Sequence, residues 1–274
     1  MDPDIFTEDS AVELIDVHMA FEEREVLHGL SCRFQRGKIS VILGGSGAGK
    51  TTILRVIGGL VRHHMGKVLI TGEDTSQFGE RQMNDIRRKL GMMFQHGALL
   101  DSLTVFDNLA LPLREHTKMT LSQIAEEVKQ QLSAVGLSGV ETLLPGQLSG
   151  GMIKRAALAR AIITKPEILM CDEPFSGLDP ISVKRIEALL RTINRKLGIT
   201  MLVSSHHIPS TLRLADQVVL ILQDRVVVGT PEELRASGEP RVAEFLNEEV
   251  DESMTDEDVF DAIDPERAPA GWGR

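Results

Sequence analysis

The sequence predicts an α/β fold with a mostly parallel core sheet. Three observations predict it. From Lys38 onward, short apolar runs alternate with segments of helical spacing, the pattern of strands joined by covering helices. The run KISVILG, Lys38 to Gly44, is apolar almost throughout, as a strand buried on both faces must be. A glycine-rich turn follows it at once and leads into a segment patterned as a helix.

Taken in order, VELIDVHMAF and EVLHGLSCRF are rich in apolar and β-branched residues with polar breaks between them. They are expected strands of an N-terminal antiparallel β subdomain. TTILRVIGGL has helical spacing, and KVLITG is a short strand. The polar DIRRKLGM leads into the apolar MMF. A helical insertion is expected over roughly residues 99–161. Within it, Leu121, Ile124, Val128, Leu132 and Val135 recur at helical spacing, and GGMIKRAALARAII reads as a second helix. VFDNLALPLREHT, Val105 to Thr117, is neither a clean strand nor a clean helix, because Pro112 interrupts it. Alternation then resumes: EILMCDEP (strand), ISVKRIEALLRTINRKLG (helix), ITMLVSSH (strand), and DQVVLIL with RVVVG as a final strand pair. The expected boundaries are a domain over 10–246 and an acidic tail over 247–274. Within that tail DEDVFDAI keeps Val259, Phe260 and Ile263 together, as a docking helix would, while its composition equally suits disorder.

Composition narrows the function. Hydrophobic residues make up 42% of the 274, enough for a packed core. The net charge of −10 is concentrated in the tail, and the near-neutral body has no basic face for nucleic acid. Cys32 and Cys171 lie too far apart in sequence for metal-ligand spacing and form no disulfide framework, which suits a reducing cytosol. The N-terminus is acidic and lacks the apolar core of a secretory signal. The longest apolar run, VVLIL, is strand-sized, against ~20 residues for a membrane span. A soluble protein, or the soluble subunit of a larger assembly, is expected.

GGSGAGKTT spans Gly44, Gly45, Ser46, Gly47, Ala48, Gly49, Lys50, Thr51 and Thr52 and matches G-x-x-x-x-G-K-[ST] between a strand and a helix. Glycines let backbone N–H groups close around phosphate oxygens, and a helix N-terminus adds favourable partial charge. Lys50 is the expected partner of the β/γ-phosphates of a bound nucleotide, and Thr51 a ligand of Mg²⁺. ILMCDE carries two acids to the C-terminal end of an apolar strand, where α/β sheets present ligands. Asp172 is expected to hold Mg²⁺, directly or through water, and Glu173 to act as general base. Cys171 reads as a small buried apolar residue.

LSGGM, Leu148 to Met152, precedes that strand and starts a helix; SGLD, Ser176 to Asp179, follows it. The order of these motifs resembles the ATP-binding-cassette (ABC) ATPase family over about Val12 to Phe245. The resemblance implies a P-loop NTPase cassette that binds ATP and Mg²⁺ and closes as a head-to-tail homodimer. It implies that Ser149, Gly150 and Gly151 contact the γ-phosphate held on the other subunit. It also implies that Gln95 lies near Mg²⁺ and the attacking water, that Asp179 belongs to the loop coupling the two sites, and that His206 contacts the γ-phosphate. Phe21 falls where the family stacks an aromatic on adenine. One departure is His207, where the family commonly has Asp; it reads as an exposed, tolerated change.

FQHGALLDSLTVFDNLALPLREHT and QLSGGMIKRAALARAI are more specific. They resemble the ATPases of maintenance-of-lipid-asymmetry (Mla) phospholipid transporters, which work with mammalian-cell-entry (MCE) domain proteins. That likeness implies a cytoplasmic subunit, peripheral on the inner membrane, docked on an integral-membrane permease through about residues 95–117. It implies an MCE-domain protein in the same complex and a C-terminal extension that contacts the neighbouring ATPase or a small STAS-domain subunit. Gly177–Leu178, where many members have Gly–Gln, departs from the Mla pattern. Two alternatives stay open: the ATPase of a polar-solute importer, and a soluble non-transport cassette.

Overall fold

The computed structural model describes residues 9–22, 24–222 and 225–251. The acidic tail beyond Asp251, with DEDVFDAI, lies outside the described residues. The chain divides into two units, 1–231 and 232–274.

The first unit opens with two long strands, β1 (Ser10–Phe21) and β2 (Arg24–Gln35), which pair antiparallel. After β3 (Ile39–Leu43) and α1 (Lys50–Ile57), β4 (Met65–Ile70) returns to pair with β1, and the two-residue β5 (Glu73–Asp74) completes a four-stranded sheet ordered β2-β1-β4-β5. Next come α2 (Glu80–Arg87), β6 (Leu90–Met93), α3 (Val105–His116), α4 (Leu121–Ala134) and α5 (Gly150–Ile162). The unit continues through β7 (Ile168–Asp172), α6 (Pro180–Leu197), β8 (Thr200–Ser205), α7 (Ile208–Leu214), β9 (Gln217–Ile221) and β10 (Val226–Gly229). The second sheet is ordered β10-β9-β3-β8-β7-β6, and only β10 runs antiparallel to its neighbour. The second unit begins at the second residue of α8 (Pro231–Ala236) and contains α9 (Pro240–Asp251).

The core strands read as continuous apolar runs because both of their faces are covered. Alternate residues Ile42, Met170, Leu202 and Val219 face α1 and the antiparallel sheet. Their neighbours Val41, Leu169, Cys171, Met201 and Val203 face α5 and α6. A third cluster packs α3, α4 and α5 on one another. Parallel registry sets Leu43 opposite Ser205 and Asp172 opposite Ser204. The loops that leave β3, β7 and β8 therefore emerge side by side at one edge of the sheet.

The reading of Val105–Thr117 as an interrupted segment is corrected: α3 runs through Pro112. Thr104 caps it, accepting from the Asp107 N–H, and Val105, Leu109, Ala110 and Leu113 are fully buried. Burial of those side chains is worth ~1.5–3 kcal/mol each for the larger ones, more in sum than the ~3 kcal/mol an interior proline costs. Leu109 and Leu113 are thus core; Leu111 is exposed and Phe106 half-buried.

Candidate functional site

The loop after β3 turns into α1 at Gly49, with φ 86°. A side chain there is excluded twice, by that backbone conformation and by Leu27 and Val26, which a Cβ would meet at 3.0 and 3.1 Å. Gly49 has no side chain to cap α1, so first-turn N–H groups remain directed at the loop, an anion-binding arrangement. Lys50 Nζ donates to the carbonyls of Gly44 (2.7 Å) and Gly45 (3.0 Å) and lies 3.5 Å from Glu173 Oε1.

At the end of β7, Asp172 Oδ1 accepts from Thr51 Oγ1 (2.9 Å) and from Ser204 Oγ (2.6 Å). A hydroxyl and a carboxylate from two elements thus converge on one point, a hard-oxygen pair of the type Mg²⁺ prefers. Glu173 turns out of the strand with a positive φ of 46°. Its N–H is held by Ser204 O (3.2 Å) and Oγ (3.0 Å), and its Oε2 lies 2.9 Å from His206 Nδ1. The carboxylate is therefore suspended between a lysine and an imidazole.

Lys154, on α5, donates to the carbonyls of Glu173 (3.0 Å) and Gln95. Burial pushes its ammonium below the usual lysine range, while Glu173 and Asp172 pull it back. Among the described residues the buried charged side chains are Glu13, Lys50, Lys154, Asp172 and Glu173. Four of these five meet here, two of each sign, so the site is close to neutral. Burying ionised groups is costly unless they are paired, and this concentration marks a place where charge is needed. The Cys171 thiol, pushed up to about 12 by burial, is inert beside it.

Of the remaining expected residues, Gln95 is tied to this cluster through its carbonyl, which accepts from Lys154, and the others sit apart from it. Ser149 caps α5, accepting from the Met152 N–H at 3.4 Å, with Gly150 and Gly151 opening the helix. Asp179 caps α6: Ser182 Oγ and the N–H groups of Ser182 and Ile181 donate to its carboxylate and hold it below the ordinary Asp range. Ser149, Gly151 and Ser182 line a cleft between the starts of α5 and α6, together with Arg155 and Arg185. Among the described residues no hydrogen bond or ion pair joins Ser149–Gly151 or Asp179 to Gly44–Thr52. Gln95 lies in the loop after β6, held by its carbonyl; Phe21 ends β1 with 43% of its surface exposed.

His207 is not a merely exposed residue. It is the N-cap of α7, its Nδ1 accepting from the Ser210 N–H at 3.2 Å. It does for α7 what the more usual Asp side chain would do. Lys154, Ser204 and Asn108 were not singled out by sequence. Asn108, 1% exposed, ties α3 to the loop before it: Nδ2 donates to Leu100, Leu103 and Thr104 carbonyls, and Oδ1 accepts from the Leu100 N–H. A lysine set among the small buried residues of KRAALARA was the one available signal for Lys154.

Among the described residues no helix is long and apolar enough to cross a membrane. Residues 27–176 match the family model described as ABC transporter. The chain is 42% identical over 230 residues to the intermembrane phospholipid transport system ATP-binding protein MlaF of Haemophilus influenzae, covering 84% of this chain and 87% of that protein. It is 38% identical over 238 residues to the probable ribonucleotide transport ATP-binding protein mkl of Mycobacterium leprae, covering 86% and 69%. Its structure resembles that of the ATP-binding cassette MJ0796, solved as a dimer in a post-hydrolysis state with ADP and Pi, at a TM-score of 0.74 and 29% identity over 80% of this chain and 98% of that one.

Proposed function

Since this chain belongs to the ABC transporter family and is an ATP-hydrolysing cassette of it, we propose that it is the power-supplying subunit of a phospholipid transporter that works with an MCE-domain protein. The observation that carries the catalytic part is the Glu173 carboxylate, held between Lys50 Nζ at 3.5 Å and His206 Nδ1 at 2.9 Å. Glu173 accepts the proton of the attacking water as general base. Lys50 and the first-turn N–H groups of α1 bind the β/γ-phosphates, and His206 contacts the γ-phosphate. Thr51 and Asp172, with Gln95, hold Mg²⁺, which when bound neutralises phosphate charge. Phe21 offers its ring face to adenine.

Two copies pair head to tail, so that Ser149, Gly150 and Gly151 reach the phosphate on the partner and Asp179 belongs to the loop that couples the sites. Supporting this reading, the two sets of residues share no bond within one chain, and the structurally similar MJ0796 cassette was solved as a dimer. The permease docks along residues 95–117, where Leu100 and Leu111 are exposed and Phe106 half-buried. In this reading the chain is peripheral on the cytoplasmic face of the inner membrane, held there by the permease. The acidic tail over 247–274 contacts the neighbouring ATPase or a small STAS-domain subunit.

Phospholipid is favoured by VFDNLALPLREHT and LSGGM and by the 42% identity to MlaF. A polar-solute reading draws on the 38% identity to a probable ribonucleotide transport protein. Purification of the full-length chain from detergent-solubilised native membranes, with protein and lipid mass spectrometry, separates them. Co-purification of a permease, an MCE-domain protein and phospholipid supports the proposal. A polar-solute permease, or only soluble partners, refutes it.

A further inference from the structure

We infer that Lys154 is a positioning residue for hydrolysis, its buried ammonium clamping the carbonyls of Glu173 and Gln95 and so fixing the reacting carboxylate relative to the helix that Ser149 opens. The inference rests on the reading of Glu173 as the general base.

An ammonium has three donors and no acceptor, so it can bridge carbonyls from separate segments. Lys154 uses two donors on two loops, one leaving β7 and the other leaving β6. Glu173 depends on outside support, because a non-glycine residue at φ 46° is not held there by its own preference. Ser204 holds the Glu173 N–H and Lys154 holds its C=O, so the residue is fixed on both sides. The side chain that leaves this residue is thereby aimed at Lys50 and His206. Lys154 also lies five residues after Ser149 on α5, so a movement of that helix is felt directly at the Glu173 peptide.

A purely structural role fits poorly. The neighbours Ala156, Ala157, Leu158 and Ala159 are apolar and fully buried, and a lysine only 6% exposed among them is an expensive choice. Its cost is offset by the two carboxylates. Without it, Glu173 keeps Lys50 and His206 as charged or polar partners, but the Gln95 carbonyl loses its donor and the Glu173 carbonyl is left with the Ser176 N–H at 3.3 Å.

The test is steady-state and single-turnover hydrolysis by the purified full-length chain, with ATP affinity and thermal unfolding measured alongside, for Lys154→Met, Lys154→Arg, Glu173→Gln and the double variant Lys154→Met/Glu173→Gln. Misplacing a reacting group by ~1 Å costs about 10²-fold, so Lys154→Met should lose about that much kcat. Its ATP affinity should stay within about twofold, since the interaction acts on the transition state. Lys154→Arg should recover most of the rate, and the double variant should be no slower than Glu173→Gln, because both changes act through one group. A Lys154→Met kcat within about twofold of the original, with Glu173→Gln slow, overturns this inference alone. Parallel loss of rate, ATP affinity and melting temperature, with no recovery in Lys154→Arg, also overturns it in favour of a structural role. Unchanged turnover in Glu173→Gln removes the general-base reading, and this inference with it.

Discussion

His206 and Glu173 meet across the ends of β8 and β7, Nδ1 to Oε2 at 2.9 Å, although thirty-three residues separate them in sequence. The parallel registry of the two strands brings them together: Asp172 stands opposite Ser204, so the residues just beyond each strand leave the sheet as neighbours. The opposite oxygen of the same carboxylate faces Lys50. Glu173→Gln keeps the shape and removes the base. Hydrolysis should fall by about 10²–10⁴-fold while nucleotide binding persists. Single-turnover phosphate release beside a nucleotide-binding titration checks this, and unchanged turnover removes Glu173 from its role.

Asn108→Ala strips four hydrogen bonds from a side chain that is 1% exposed. Buried groups left unsatisfied cost ~1–3 kcal/mol each, partly recovered by relaxation of the loop, so a loss of about 3 kcal/mol is expected. Urea unfolding at constant m-value measures it. A loss below about 1 kcal/mol would show that Asn108 is not what ties residues 100–104 to α3.

His207→Asp should leave α7 capped. Asp ranks at least as high as any residue at an N-cap, so stability should stay level or rise by up to about 1 kcal/mol, whereas His207→Ala should cost about that amount. Thermal melts of both variants decide it. A destabilised His207→Asp would mean that the imidazole has a role beyond accepting from the Ser210 N–H.

Glu187 supplies a pH-dependent contribution. Burial pushes its carboxyl up, but hydrogen bonds from Arg213 and Ser210 together hold it below its ordinary value of 4.5. The folded state therefore binds this proton less readily than the unfolded chain. The stabilisation is complete above the ordinary carboxylate range and disappears as pH falls through the depressed value. The stability gap between the original chain and Glu187→Gln should be constant near neutrality and close below about pH 4. A gap that does not change with pH refutes the assignment.

Much of this was readable in the sequence. KISVILG and EILMCDE announced themselves as doubly covered strands, and Lys50 at the start of α1, Asp172 at the end of β7 and Glu173 just beyond it do share one sheet edge. Elements resting on tertiary contacts were not readable. The proline in VFDNLALPLREH outweighs any local helix signal, and only the packing of Val105, Leu109 and Leu113 reverses it. Asn108 and Lys154 look like surface residues in a linear reading, because their partners are main-chain groups that no side-chain pattern encodes. β5 has two residues and α7 seven, too few for any periodicity to emerge.

The neutrality of the Lys50–Lys154–Asp172–Glu173 quartet has a consequence for which ligand charge states the cassette admits. Both ammonium groups are already matched by carboxylates, so little unbalanced positive charge remains to attract a bare polyanion; the helix end adds only ~0.5 of a charge. Free ATP should therefore be a poor ligand, and the metal-complexed form the selected one. Chelating divalent cations should weaken nucleotide binding itself as well as turnover. The quartet would then act as a filter, keeping two oppositely charged partners from entering separately.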